Sequence, residues 1–278
     1  MNGRSNILPL IDSVSFSMKY LKEPWAFLSI LMNRPRDVSF KGFKGRITIK
    51  NKYEFWKLRN IVYGGWEIVD YKAPLFHVKK GNITICASLE QLGVLQEPLE
   101  KHYKVVNFEN KRVLDIGGYI GYSAVLFSKW GAKDVIVYEA QRENIDLIRK
   151  NLKLNSVKGR VYGIAVAEKD GMIELFYEKI GTTNFGLKGN KKYRVRAISV
   201  SKVLSEHSID IAKFDCEGCE YSLLSVSCDV IRRIPVYIIE YHRGLEKLKE
   251  KFENCGYHVR RLWKINENVG GLKAEVRR

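Results

Sequence analysis

Three glycines within five residues, set between an apolar run and a helical one, constrain this chain more than any other feature. The stretch reads Arg112-Val-Leu-Asp-Ile-Gly-Gly-Tyr-Ile-Gly-Tyr122. Val113, Leu114 and Ile116 suit a short strand buried on both faces. Gly117, Gly118 and Gly121 then let the backbone turn sharply and come close to a ligand without a Cβ in the way. Ala124, Val125, Leu126 and Phe127 mark a helix over 123–130, stopped by Gly131. Val135 to Tyr138 form a second buried strand, and residues 141–154 a second amphipathic helix. Glu139 closes the second strand, where a carboxylate can accept hydrogen bonds from two ribose hydroxyls. Strand, glycine loop, helix, strand and acid together make a nucleotide-binding βαβ unit.

The ligand class follows from the loop's chemistry. A dinucleotide site wants G-x-G-x-x-G with the pyrophosphate on the helix N-terminus. Here the third position is Tyr119, whose side chain would meet a pyrophosphate, and Asp115 lies two residues before Gly117. A carboxylate there repels a pyrophosphate and suits a cationic amino-acid ligand. S-adenosylmethionine (SAM) carries an ammonium and a sulfonium, so SAM is the expected cofactor. Its expected contacts are Asp115, Gly117, Gly118, Tyr119, Gly121, Glu139 and the adjoining Ala140.

The rest of the chain alternates in the same way. Strands are expected at 160–166, 209–214 and 236–241, helices at 200–206, from about 220, and at 245–254, and a closing hairpin at 257–263 and 272–276 through Gly270-Gly271. Residues 171–177 and 193–198 read as outlying strands joined by a polar loop at 181–190. Alternation of this kind gives an α/β fold with a mostly parallel sheet covered by helices on both faces. Ligands bind such sheets beyond the C-terminal strand ends, where Asp115, Glu139, Asp215 and Glu240 all fall. Residues 1–108 form an α+β extension ahead of the 109–278 domain. It holds a helix around 15–32, a strand at 46–49, a helix at 53–62, strands at 66–69, 75–78 and 83–86, and a helical stretch at 89–106.

Lys213-Phe-Asp-Cys-Glu-Gly-Cys-Glu220 places three carboxylates within six residues, straight after an apolar strand. Methyl transfer to a hydroxyl needs the acceptor held in line and its proton removed as the bond forms. Asp215, Glu217, Glu240 and His242 are therefore the candidate catalytic groups. Glu220 reads instead as an acid at a helix start, favoured by the helix dipole. Cys216 and Cys219 could join Cys228, Cys255 or His242 on zinc, or act as a redox pair. Strong zinc patterns usually carry a second closely spaced pair, which is missing, so no metal is expected.

The net charge is +17 and is spread along the chain rather than gathered in a tail. It could draw RNA, anionic lipid or an acidic glycan, or simply keep the protein soluble. Five cysteines without a secretory leader point to a reducing, cytoplasmic setting. No apolar run reaches the length of a membrane span. The nearest, residues 24–32 flanked by Lys19, Lys22, Arg34 and Arg36, could lie in a membrane interface; the expectation is a helix docked by its apolar face.

Two motifs together carry a family resemblance. Asp115-Ile-Gly-Gly-Tyr-Ile-Gly-Tyr122 resembles the D-V-G-A-N-I-G-Y loop of FkbM-type SAM-dependent methyltransferases. Lys213-Phe-Asp-Cys-Glu-Gly-Cys-Glu220 resembles their K-I-D-V-E-G-x-E signature, and Ile239-Glu-Tyr-His242 their later strand ending in an acid. The resemblance spans about residues 112–263 and puts both cysteines of the pair at variable positions. It implies a class I methyltransferase fold with a seven-stranded sheet, SAM as donor, and O-methylation of a sugar, lipid or small-molecule hydroxyl. It further implies that Asp115, Gly117 and Gly121 hold the methionine end of SAM, that Glu139 holds the ribose, and that Asp215 and Glu217 face the reacting centre. Tyr119 stands where the family usually has Asn, and the extension, an expected acceptor-binding region, lies outside the resemblance. An RNA acceptor such as tRNA is the competing reading, and a non-catalytic SAM-binding module the reading from another class.

Overall fold

A computed structural model of the chain describes residues 7–177 and 191–277, so the polar loop expected at 181–190 falls outside them. The chain divides into two compact units, Met1–Glu97 and Pro98–Arg278. That division comes before the expected boundary at 108, because the short helix Leu99–Tyr103 belongs to the second unit. Tyr103 packs its ring 6.2 Å from that of Phe127, and its hydroxyl donates to Asp215 at 2.8 Å.

In the first unit the single helix expected around 15–32 is two, Ile7–Tyr20 and Ala26–Leu31. The break is held from outside: Leu21 bridges Phe40, and the Lys22 amide donates to the Ser39 carbonyl at 2.8 Å. Pro24 follows, with no amide proton to continue a helix. Asn51 caps the helix Lys52–Tyr63, accepting from the amides of Tyr53 and Glu54. An antiparallel sheet of Glu67–Lys72, Leu75–Lys80 and Ile83–Ser88 follows. The Phe55 ring lies 5.6 Å from that of Phe16 and 6.5 Å from that of Phe27, and all three are buried. The helical stretch expected over 89–106 splits at Pro98 into the 3-10 turn Gln91–Gln96 and the helix Leu99–Tyr103.

The second unit is built on seven strands: β1 Arg112–Ile116, β2 Asp134–Tyr138, β3 Gly159–Tyr162, β4 Ile211–Phe214, β5 Val236–Tyr241, β6 Tyr257–Lys264 and β7 Gly270–Val276. They lie in the order β6-β7-β5-β4-β1-β2-β3. β1 to β5 are parallel, and β7 runs antiparallel to both β5 and β6. This is the mostly parallel seven-stranded sheet that the motifs implied. Buried Leu114, Ile136, Phe214, Ile239 and Leu272 run through its core. The strand expected over 160–166 stops at Tyr162; Ala165–Ala167 pairs instead with Lys191–Ser199, in a small sheet completed by Gly171–Tyr177. The final hairpin turns at residues 265–269, where the Ile265 amide donates to the Val269 carbonyl at 2.9 Å. Gly270 and Gly271 therefore sit inside β7 rather than at the turn. A Cβ on Gly271 would lie 2.4 Å from the Trp263 indole nitrogen, so its glycine makes room for that ring.

Candidate active site

β1 and β4 are adjacent and in register, Lys213 opposite Asp115 and Phe214 opposite Ile116. The chain must then turn away from both strands at once. Gly117 does so at φ +80, and a Cβ there would lie 1.9 Å from the Asp215 carbonyl oxygen. Its glycine is thus demanded first by the neighbouring strand. Gly118 is buried against Val137 for a similar reason. Gly121, at φ +82, opens the helix Tyr122–Lys129. Tyr119 occupies the left-handed region at φ +49, which asparagine tolerates and a bulky side chain enters only under strain. The residue preferred by the family at this place is thereby explained by backbone geometry.

Glu139 follows β2, and its carboxylate faces back across the loop. Oε2 accepts from the Tyr119 amide and Oε1 from the Gln141 amide, each at 2.8 Å. Burial pushes its pKa up to about 7, against the lowering effect of these two amides. A carboxylate offers about four acceptor sites, so Glu139 retains capacity for hydroxyl donors. Ala140 is half-buried and packs on the alanines of the small sheet.

Asp115 is enclosed by the protein. It is 0% exposed, with Oδ1 2.9 Å from the Lys213 ammonium and Oδ2 accepting from the Ser123 hydroxyl at 2.6 Å. Its carboxylate is thus held between Lys213 and Ser123, next to the glycine loop. Lys213, buried in the middle of β4, also donates to the Gly117 carbonyl at 2.9 Å and lies 3.7 Å from Asp215 Oδ2. Burial would lower its pKa, but Asp115, Asp215 and Glu240 outweigh that and hold it raised.

Asp215, Glu217, Glu240 and His242 meet at the C-terminal edge of β4 and β5. The Tyr103 hydroxyl donates to Asp215 and lies 3.4 Å from Glu240 Oε2. His242 Nε2 is 3.6 Å from Glu240 Oε1 and 3.7 Å from Glu217 Oε2. On its other side Nδ1 is 3.0 Å from Glu220 Oε1. That same oxygen accepts from the His242 amide, and Glu220 Oε2 accepts from the Gly218 amide at 2.8 Å. Burial alone would lower the His242 pKa, but the hydrogen bond and charge of Glu220, with Glu217 and Asp215, push it up to about 9. Burial raises Glu217, chiefly against the pull of His242. The Glu217 side chain stays 43% exposed and sits at φ +57 in the loop.

Three residues thus take parts the sequence did not give them. Glu220 does lie in the first turn of a short helix, the 3-10 turn Cys219–Ser225, but it is fully buried and fixes the imidazole. Lys213 is the cation that buried Asp115 requires, and an ammonium inside a four-residue apolar strand was the signal for it. Tyr103 had no such signal, since it reaches Asp215 from 112 residues away.

Cys216 and Cys219 form a disulfide, as do Cys228 and Cys255. Disulfide sulfurs are not thiolates, so the C-x-x-C pair offers no zinc ligands here. The expectation of reduced cysteines is corrected for four of the five; Cys86 is buried outside the disulfides. Asp215, Glu240 and His242 each bring a potential ligand atom within 4.8 Å of the other two, so a cation could be held there. Among the described residues no helix is long and apolar enough to cross a membrane.

Residues 115–259 match the family model described as the methyltransferase FkbM domain. Among solved structures, precorrin-6y C5,15-methyltransferase from Geobacter metallireducens is 15% identical over 64% of this chain and 85% of its own, with a TM-score of 0.40. The O-methyltransferase from Bacillus cereus, in complex with S-adenosylhomocysteine (SAH), is 12% identical over 65% and 82%, with a TM-score of 0.41. Ribosomal protein L11 methylase from Lactobacillus delbrueckii subsp. bulgaricus is 13% identical over 64% and 76%, with a TM-score of 0.37. No curated protein matches the chain.

Proposed function

We propose that this chain, which belongs to the methyltransferase FkbM family, transfers a methyl group from SAM to a hydroxyl oxygen of a sugar, lipid or small molecule. The observation that carries the reading is the meeting of three carboxylates and an imidazole on one strand edge, beyond the β1 and β2 loops. When bound, SAM supplies a methyl carbon on a positively charged sulfur. The loop residues suit such a donor: Glu139 keeps acceptor capacity for ribose hydroxyls, and the carboxylates of β4 and β5 favour a cation. Gly117, Gly118, Tyr119, Gly121 and Ala140 line its path; Asp115 acts through the loop it holds.

Glu217 is the group best suited to take the acceptor's proton. Burial raises its pKa, and a more basic carboxylate accepts a proton more readily in the transition state. Its partial exposure leaves an oxygen within reach of a substrate. His242, at about 9, is protonated near neutrality. It therefore orients Glu217 and Glu240 as a cation and does not serve as the first base. Asp215, with one oxygen fixed by Tyr103, positions the acceptor hydroxyl.

Radiolabelled SAM incubated with the protein and separated RNA, lipid, glycan and metabolite fractions identifies the acceptor class. Label is expected in a hydroxyl-bearing glycan, lipid or metabolite. Asp215→Asn and Glu217→Gln should each abolish turnover while SAH affinity stays within about tenfold, a 1.4 kcal/mol margin. Wild-type rates in both variants would remove them from the chemistry. The +17 charge motivates the RNA alternative; label in RNA, with binding that weakens steeply in salt, would establish it instead. Calorimetry showing no SAH binding would favour a non-catalytic module. The 4.8 Å grouping of Asp215, Glu240 and His242 favours a second mechanism, in which a divalent cation lowers the pKa of the hydroxyl. Turnover that persists in EDTA would leave Glu217 as the base.

A further inference from the structure

The first unit exposes a cluster of large apolar side chains that its own core does not use. On the helix Ala26–Leu31 and its two ends, Phe27 and Ile30 are buried, while Trp25 (65% exposed), Leu28 (48%) and Met32 (65%) point outward. Positions 25, 28 and 32 recur at the spacing that puts side chains on one helix face. On the preceding helix, Ile7–Tyr20, Ile11 and Met18 are seven residues apart and also exposed. The two helices are in contact. The docked face expected of residues 24–32 therefore exists, and a second apolar face lies opposite it.

The charges bordering this face are mostly of one sign. Lys19, Lys22, Arg34 and Arg36 are all exposed. Of the nearby acids, Glu23 is engaged, accepting from the Ser39 amide at 3.0 Å and lying 3.8 Å from Arg46. Asp37 accepts from the Thr48 hydroxyl at 2.6 Å. Asp12 is exposed on the first helix. A tryptophan-tipped apolar face rimmed by lysine and arginine is the composition that lies flat in the headgroup region of an anionic bilayer. A helix of six residues cannot enter deeper than that region.

We propose that the face formed by Trp25, Leu28 and Met32 docks on an anionic membrane surface. Trp25, Leu28 and Met32 enter the interface, and the four basic side chains meet the lipid phosphates. The first unit alone carries this inference, so it stands or falls separately from methyl transfer.

The test is flotation of the full chain with vesicles of phosphatidylcholine and phosphatidylglycerol at 70:30, against vesicles of phosphatidylcholine alone. Binding to the mixed vesicles is expected, at least tenfold stronger than to the neutral ones and weakened by 0.5 M salt. The double variant Trp25→Ser/Met32→Ser should lose tenfold or more of that binding. Lys22→Ala/Arg34→Ala should lose about thirtyfold, from roughly fivefold for each basic residue at a charged leaflet. All four positions are exposed, and an unchanged urea unfolding curve confirms that the variants fold. Three results would overturn the proposal: no flotation with the mixed vesicles, equal binding to neutral ones, or binding that both double variants retain. Sedimentation showing a dimer that Trp25→Ser/Met32→Ser dissolves would assign the face to a second copy and likewise overturn it.

Discussion

Replacing Lys213 by methionine tests how β1 and β4 are tied together. The side chains are similar in length, so the substitution removes the charge while filling most of the space. In the wild type the ammonium lies 2.9 Å from Asp115 Oδ1 and 3.7 Å from Asp215 Oδ2, and donates to the Gly117 carbonyl at 2.9 Å. Asp115 is fully buried, so without Lys213 its charge keeps only the Ser123 hydroxyl. Leaving one charge of a buried pair uncompensated typically costs about 3–5 kcal/mol, and Lys213→Met is expected in that range. Adding Asp115→Asn should recover at least half of the loss, because the amide can keep the Ser123 bond and carries no charge to strand. Urea unfolding followed by tryptophan emission at pH 7 measures all three proteins. The difference should barely change between low and high salt, since buried pairs are poorly screened. A loss under about 1 kcal/mol, the size of an exposed pair, would refute this account. So would a double variant no more stable than Lys213→Met.

Tyr119→Asn should stabilise the chain by about 1 kcal/mol, because it relieves a left-handed backbone that costs a bulky L-residue roughly that much; urea midpoints check it. Glu139 holds its proton up to about 7 when folded, against 4.5 for an unperturbed glutamate, chiefly through burial. Its contribution to stability is thus fully present below about pH 4.5 and is lost as pH rises through about 7, and Glu139→Gln should flatten that slope. Donor binding should run the other way: SAH affinity, read by calorimetry, should rise up to tenfold per pH unit below 7 if the carboxylate accepts ribose hydroxyls, and the pH dependence should vanish in Glu139→Gln. Opening Cys228–Cys255, 27 residues apart, should cost about 3–4 kcal/mol by loop entropy; Cys228→Ser/Cys255→Ser against the wild type in urea measures it.

The residues that could be read in advance are those whose requirement is local. The apolar runs of β1, β2, β4 and β5 place their strands, because a four- to six-residue buried strand admits little else. Gly117 was legible as a turn, although part of its cause is not local at all: the Asp215 carbonyl of the adjacent strand occupies the place of its Cβ. The same dependence on a neighbour explains what could not be read. The pairing of Asp115 with Lys213 could not be read, because the two lie far apart in sequence and are brought opposite only by the parallel register of β1 and β4. Glu220 was legible as a helix-start acid but not as the partner of His242, which reaches it only when β5 lies beside β4. A carboxylate's role is set by the cation that the fold delivers to it. Four of the acids near this strand edge therefore divide by partner: Asp115 to the buried lysine, Glu220 to the imidazole, and Asp215 to a tyrosine that leaves one oxygen uncommitted. Glu217, raised by burial and the most exposed of the four, is the one proposed to take the acceptor's proton.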